Sequence, residues 1–363
     1  MEQTRIQMFE QQIYPELFAE AAENIMDCFG RQKKEIIEAW KTILHGYMEQ
    51  LADLQEEEEA PSIQEIDFSF LYTSLEDRHA AFQIDSYGEG GRVSGERILT
   101  EHISADWIAD GTKVLADRLA ERAEQENLRG YVRAAEIDKL RLRAVRSMLL
   151  CFAVRFKYII RDMIDFRSLA RIQKEPCFLI QIGEYMDWMK TIYAIQPTVD
   201  IFNCEQDTDL RFRSFHAVHY NEKRFKAFNL SQSDFKDCIF MESSIDNCVM
   251  NDCMFDGCVF EKLQIGNTVM KGCIFVNCVF REIVMKEIVL SETNTDAELD
   301  VLDYFAPAEF HDCEFRAFRL VNCSADKCIV KNCDASKIAL EGSSVVGSGF
   351  EELKDKEGQD AIF

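Results

Sequence analysis

Fourteen cysteines are the residues with the most chemistry to offer, and their spacing decides what that chemistry is. Ten of them are Cys238, Cys248, Cys253, Cys258, Cys273, Cys278, Cys313, Cys323, Cys328 and Cys333, all separated by multiples of five. Zinc knuckles need cysteine pairs two residues apart, and these ten have no such spacing. The opening residues are polar and charged, with no secretory pattern. No apolar run approaches the ~18 residues of a membrane span. The expectation is therefore a cytoplasmic protein with buried, reduced, metal-free thiols. His216 and His219 stand three apart without a Cys or carboxylate in ligand spacing, so they read as surface or capping histidines. Gly88-Glu89-Gly90-Gly91-Arg92-Val93-Ser94-Gly95 is the one glycine-rich stretch. Such a loop can cradle a phosphate at a helix start, but it lacks Gly-Lys-Ser/Thr and fits no dinucleotide fingerprint. It reads as a turn or a connection to a third strand. No serine sits in a nucleophile elbow. No catalytic, cofactor-binding or metal-ligating residue emerges, so the expectation is a protein that is not an enzyme and uses no cofactor.

What must position the cysteines is a period of five. From Leu210 to Leu290 every fifth residue is large and apolar, and the count resumes from Phe310 to Phe350 in the same frame. Two residues before each, the residue is usually small and uncharged, most often Cys, Ser, Thr or Ala. The other three places are mostly Asp, Asn, Lys, Glu, Gly and Ser. Neither the helical nor the strand period gives this pattern. It needs a chain that turns a corner every five residues and points two side chains inward per side. Four sides close a coil of twenty, and coils stack at about 4.8 Å by backbone hydrogen bonding.

Units such as Cys253-Met254-Phe255-Asp256-Gly257 and Cys273-Ile274-Phe275-Val276-Asn277 resemble the pentapeptide-repeat family. The resemblance covers residues 228–352 and implies a right-handed quadrilateral β-helix. Residues 208–227 match only at the large position, with Arg213 and Lys223 in the small place, and read as a ragged lead-in. Twenty-residue coils put Phe235, Phe255, Phe275 and Phe315 on one face, and Phe240, Phe260 and Phe280 on the next. Because 290 and 310 differ by one coil, Glu292 to Ala306 reads as a loop or short helix replacing three sides of a coil.

Before the solenoid, residues 1–205 read as a mostly helical domain with a small β-hairpin near 64–87; 206–352 form the repeat domain, interrupted at 291–307, and 353–363 a polar tail. Two apolar stripes, from Ile6 to Ile25 and from Ile36 to Leu54, predict helices broken at Gly30. Ile66, Phe68, Phe70 and then Phe82 and Ile84 alternate, as hairpin strands do. From Glu96 to Tyr193 the reading is again helical, strongest over Ala134–Leu169, whose other face is basic. Pro176 then separates a last helix, Phe178 to Ile195.

The net charge of −24 argues against nucleic-acid phosphate and anionic membrane as partners. The expected function is a non-enzymatic interaction or scaffold protein that presents solenoid faces to a protein partner. The resemblance implies an alternative, since quinolone-resistance members of the family mimic DNA and bind a topoisomerase such as DNA gyrase. Residues 225–350 carry twenty Asp and Glu against eleven Lys and Arg, and the bases interrupt the acidic faces. Within the interruption, Glu292, Asp296, Glu298, Asp300 and Asp303 face no basic residue of their own segment and are the candidate partner-binding residues.

Overall fold

A computed structural model describes residues 2–75, 79–94, 96–205, 208–291 and 307–353. The chain divides into two compact units, 1–194 and 195–363.

The first unit begins with α1 (Glu2–Met8), a π-helical stretch (Phe9–Ile13) and the long α2 (Tyr14–Glu56). No break occurs at Gly30; α2 runs through it. One glycine in a helix interior costs about 1 kcal/mol, while Trp40, Leu44, Tyr47, Met48 and Leu51 bury one face of α2 almost completely. After α2 come β1 (Ile63–Phe70), β2 (Ala81–Tyr87), the short α3 (Gly91–Ser94) and β3 (Arg97–Ser104). They are followed by α4 (Asp106–Gln125), α5 (Ala134–Met163), α6 (Phe166–Arg171), β4 (Lys174–Glu184) and β5 (Met189–Ile195). The hairpin is thus part of a five-stranded sheet in the order β3-β2-β1-β4-β5. β2 is antiparallel to both β1 and β3, and β4 runs parallel to β1.

Two stretches expected as helix are strands. Residues 97–104 pair with β2, so the glycine-rich segment connects a second strand to a third. Residues 174–195 form β4 and β5. In β4, Phe178, Ile180 and Ile182 alternate inward, a period of two inside a run short enough to imitate a helix. Gly183 permits the closing turn: a Cβ there would stand 2.1 Å from the Trp188 carbonyl oxygen. The inner sheet face meets the helices in an aromatic cluster. Trp40 stacks on Phe68 at 6.2 Å and meets Phe156 edge-on at 5.2 Å. The basic face of α5 is answered inside its own unit: Lys139 reaches Glu10, and Arg146 reaches Glu184 and Asp187.

In the second unit, short strands recur on three of the four sides, with single bridges at Asn229, Val249, Val269 and Val289 on the fourth, and before the interruption each pairs in parallel with its equivalent twenty residues on. Phe235 lies over Phe215, Phe255 over Phe235 and Phe275 over Phe255, with ring centroids 4.7–4.9 Å apart. The first coil is regular, not a ragged lead-in: residues 214–216, 219–221 and 224–226 are paired strands. Arg213 fits the small place by turning its guanidinium to the carbonyls of Asp209 and Pro197. Phe202 closes this end of the core against Tyr220, Phe225 and Phe228. Phe350 closes the other, against Phe310, Phe315 and Phe318.

The interruption is an addition to a coil, not a substitution for three of its sides. Phe310 stacks on Phe275 and Phe315 on Phe280, so the stacking partner after the break is thirty-five residues back. Phe315 therefore belongs to the face of Phe240, Phe260 and Phe280. Fifteen extra residues preserve the count of five while moving every later residue to a different face. Residues 292–306 lie outside the described residues. Their flanks meet as one ordinary unit would, with the Ala308 amide donating to the Leu290 carbonyl at 3.0 Å.

Deleting 292–306 joins Ser291 to Pro307 and leaves an unbroken series of twenty-residue coils. Deleting 248–267 removes one whole coil. Both variants should keep the far-ultraviolet spectrum and melt within a few degrees of wild type. Deleting 248–262 keeps the count of five but shifts the faces; circular dichroism and thermal melting should show a loss of well over 10 °C, and equal behaviour of all three deletions would refute the twenty-residue coil.

Candidate functional site

Each wall of the solenoid is built from one local conformation repeated. The residue two after the large apolar one sits at positive φ, from Ala217 (53°) through Asn277 (53°) to Lys337 (58°). Left-handed backbone costs an ordinary L-residue about 1–2 kcal/mol and is easiest for Gly, Asn and Asp. This explains Asp237, Asn247, Asp252, Gly257, Asn267, Gly272 and Asn277 at the corners. At Gly257 a Cβ would also approach Asp237 Oδ1 to 2.7 Å.

The small inward place is a hydrogen-bond donor site. Cys253 Sγ donates to the Leu230 carbonyl at 3.0 Å, Cys273 Sγ to that of Met250 at 2.8 Å, and Ser243 Oγ to that of Tyr220 at 2.7 Å. Each acceptor lies twenty-three residues back, one coil below. Cys, Ser and Thr share this role because they are small and can donate, which goes further than treating the thiols as small hydrophobes. Among the described cysteines the repeat members are buried except Cys333, which is half-buried, and none forms a disulfide. Phe228, Leu263, Ile283, Ile288, Phe318 and Ile338 occupy the same place without a donor. Three of these, Ile283, Phe318 and Ile338, lie within unbroken eight-residue strands that span two sides.

Outside the walls, the residue before each large one points away from the core. In the middle coils this outward place is mostly apolar: Ile239, Val249, Met254, Val259, Val269, Ile274, Val279, Val284 and Val289, with Asp234, Ser244 and Gln264 among them and Ile274 itself buried. Its equivalents in the first coil are Asp209, Ser214, His219 and Arg224, and in the first coil after the interruption Glu309, Glu314, Arg319 and Ser324; the last coil is mixed, with Ile329, Asp334, Ala339 and Ser344. Ile239, Val259 and Val279 stack as one ladder, and Val249, Val269 and Val289 as another. Val249 is 37% exposed and the other five are half-buried. The signal was in the sequence, but the small and large inward residues set the period and drew attention from it. Charges beside the ladders alternate in sign: Glu242, Lys262 and Glu282 occupy one corner column, and Lys262 Nζ meets Glu242 Oε1 at 3.1 Å.

The first unit holds a second polar feature that the sequence reading passed over. On the sheet face away from the helices, Asp67 stands directly opposite Asp85, with Glu65, Ser69 and Gln83 around them. Asp85 is well satisfied, accepting from Gln83 and Thr100 at 2.7 Å each. Asp67 is fully buried, and neither oxygen accepts a hydrogen bond from a described residue; Arg92 Nε stands 3.9 Å away. Burial, then the neighbouring Glu65, push the Asp67 carboxyl up to about 8. The alternation Glu65-Ile66-Asp67-Phe68-Ser69 resembles a strand with one wet face, which hides the burial of both.

His216 and His219 are exposed, and His216 Nε2 meets Asp237 at 3.3 Å. Glu292, Asp296, Glu298, Asp300 and Asp303 lie outside the described residues. No helix among the described residues is long and apolar enough to cross a membrane.

Three results test these features. An acid whose folded pKa is raised adds most stability below the unfolded value near 4, and that stability is lost as pH rises toward 8. Asp67→Asn should therefore match wild type near pH 4 and exceed it by a few kcal/mol above pH 8, read from urea melts across that range. A constant difference across pH would show that Asp67 is ionised in the fold. At the corners, Ala317→Gly should stabilise by about 0.5–1 kcal/mol and Gly257→Ala should destabilise by about 1–2 kcal/mol in the same assay.

No protein-family model matches the chain, and no curated protein matches it in sequence. Solved structures do resemble it. Rfr23, a pentapeptide repeat protein from the cyanobacterium Cyanothece 51142, is 4% identical over 36% of this chain and 90% of its own, with a TM-score of 0.22. QnrB1, a plasmid-mediated fluoroquinolone resistance protein, is 13% identical over 37% of this chain and 73% of its own, with a TM-score of 0.16. HetL, a pentapeptide repeat protein involved in heterocyst differentiation regulation in Nostoc sp. strain PCC 7120, is 6% identical over 37% and 87%, with a TM-score of 0.13. The repeat of five, the left-handed corners and the stacking every twenty residues make the second unit a right-handed quadrilateral β-helix of pentapeptide repeats.

Proposed function

We propose that this chain is a non-enzymatic interaction protein whose β-helix presents its faces to a protein partner. The outward apolar residues of the middle coils carry the reading. Strand propensity does not account for them, because polar residues fill the same place in the first coil and in the first coil after the interruption and form equally regular strands. Contiguous apolar side chains facing water mark interaction surfaces. The ladders offer flat β-branched walls at the rise of one coil, suited to a partner with a flat apolar face. Glu292, Asp296, Glu298, Asp300 and Asp303 would meet a basic part of that partner.

The net charge of −24 favours a second reading, a DNA mimic acting on DNA gyrase. The alternating column Glu242–Lys262–Glu282 weakens it, since a substitute for a phosphate backbone needs one sign along its length.

Val259→Lys combined with Val279→Lys tests the leading reading. Both side chains point outward and are half-buried, so thermal melting should move by no more than about 1 kcal/mol equivalent per site. Affinity purification from the native cell, with mass spectrometry, should lose the wild-type partner, and affinity for that purified partner should fall at least tenfold. Full retention of the partner would exclude these walls. Inhibition of purified gyrase supercoiling by wild type, undiminished in the double variant, would favour mimicry.

A further inference from the structure

The wall over Phe240, Phe260 and Phe280 carries charges that reverse sign about its middle. Three columns of side chains cross its outside. The column before the large residue reads His219, Ile239, Val259, Val279, Glu314, Asp334, and the column after it Asn221, Met241, Glu261, Arg281, Arg316, Ser336. The left-handed corners beside them read Glu222, Glu242, Lys262, Glu282, Ala317, Lys337. None of these residues is buried in the chain, so the whole wall is open to a partner.

Two copies of this wall can pack face to face around a two-fold axis that runs along the strands. Each column then meets itself upside down. With the axis midway between the Val259 and Val279 rungs, Val259 meets Val279 of the second copy. In the same register Glu261 meets Arg281 and Lys262 meets Glu282. Toward the ends, His219 meets Asp334 and Glu222 meets Lys337. Each contact occurs twice, as in any isologous interface. No column sets like charge against like. Other registers lose this property. An axis one half-rung away, on the Val259 or the Val279 rung, puts Glu261 or Arg281 against itself. An axis one rung away puts Glu222 against Glu282, or Arg281 against Arg316. The match is least good at Ile239 and Met241, which meet Glu314 and Arg316. Those two are ion-paired within one chain, and Arg316 offers its methylene stem to the apolar side chains.

We propose that this wall is a self-association surface whose partner is a second copy of the chain, antiparallel to the first. The proposal rests on the interaction reading of the outward ladders and names the partner for one of them. Lys262 meets Glu242 of its own chain at 3.1 Å with both side chains half exposed, which leaves ammonium protons for Glu282 of the second copy. Six rungs about 4.8 Å apart and one short strand wide fall below the ~800 Å² per partner of a standard interface. The dimer is therefore a weak one, and charge fixes its register.

Sedimentation equilibrium of the full-length protein over a hundredfold range of concentration, at low and high salt, tests the proposal. Wild type should pass from monomer toward dimer, less so at high salt. Lys262→Glu sets like charges together twice in each dimer and should weaken association about tenfold or more. Adding Glu282→Lys restores opposite signs and should recover association. Val259→Lys combined with Val279→Lys should abolish it. Thermal melting checks that each variant is folded. A wild type that is monomeric throughout, an undiminished dimer in Lys262→Glu, or a charge swap that fails to restore association would each overturn the proposal. A monomeric wild type whose captured protein is still lost through Val259→Lys with Val279→Lys would overturn self-association alone and leave the interaction reading standing.

Discussion

Everything in the second unit depends on the hydrogen bond between coils. A strand of three residues is too short to persist alone. Here each one pairs with a copy of itself above and below, and the turn to the next strand is made by one left-handed residue. The two requirements fit together. A corner every five residues fixes which side chains face inward, and the bond to the next coil fixes which inward side chains stack. Phe235, Phe255, Phe275 and Phe310 form a ladder because the backbone leaves them no other arrangement. The donors at the small place serve the same constraint, since they satisfy carbonyls that the corner turns toward the core.

The period of five was fully legible because it is local: every unit states its own inward and corner residues. The assignment of faces was not. It depends on a count of twenty, and fifteen extra residues are invisible to a rule of five. Only the pairing of Phe275 with Phe310 fixes the difference. The first unit divides along similar lines. Long helices such as α2 and α5 show their stripe many times over. β4 shows its alternation only three times, at Phe178, Ile180 and Ile182, and a helical reading of so short a run is equally consistent with the residues. The Asp67 cluster was hidden for another reason. Alternation says which residues share a sheet face, and says nothing about whether that face is later covered.

The outward valines and the inward cysteines show how one repeat carries two independent messages. The corner and the large residue are constrained by the fold. The residue before the large one is free of it, and in the middle coils that freedom is used mostly for apolar side chains. A wall of this kind is positioned more firmly than a loop, because each side chain is fixed by a backbone bonded above and below.

Phe202 and Phe350 acquire a wider meaning from this. Parallel strands in register, stacked at one repeat distance around a dry aromatic core, are also the architecture of a cross-β fibre. Such a stack has no intrinsic length, since its last rung is as good a template as any before it. In this chain a ring laid across the core at each end replaces the next rung with a surface that cannot be copied. The solenoid is in that sense a fibre of defined length. The two aromatic plugs, more than the repeats between them, set where the stack stops.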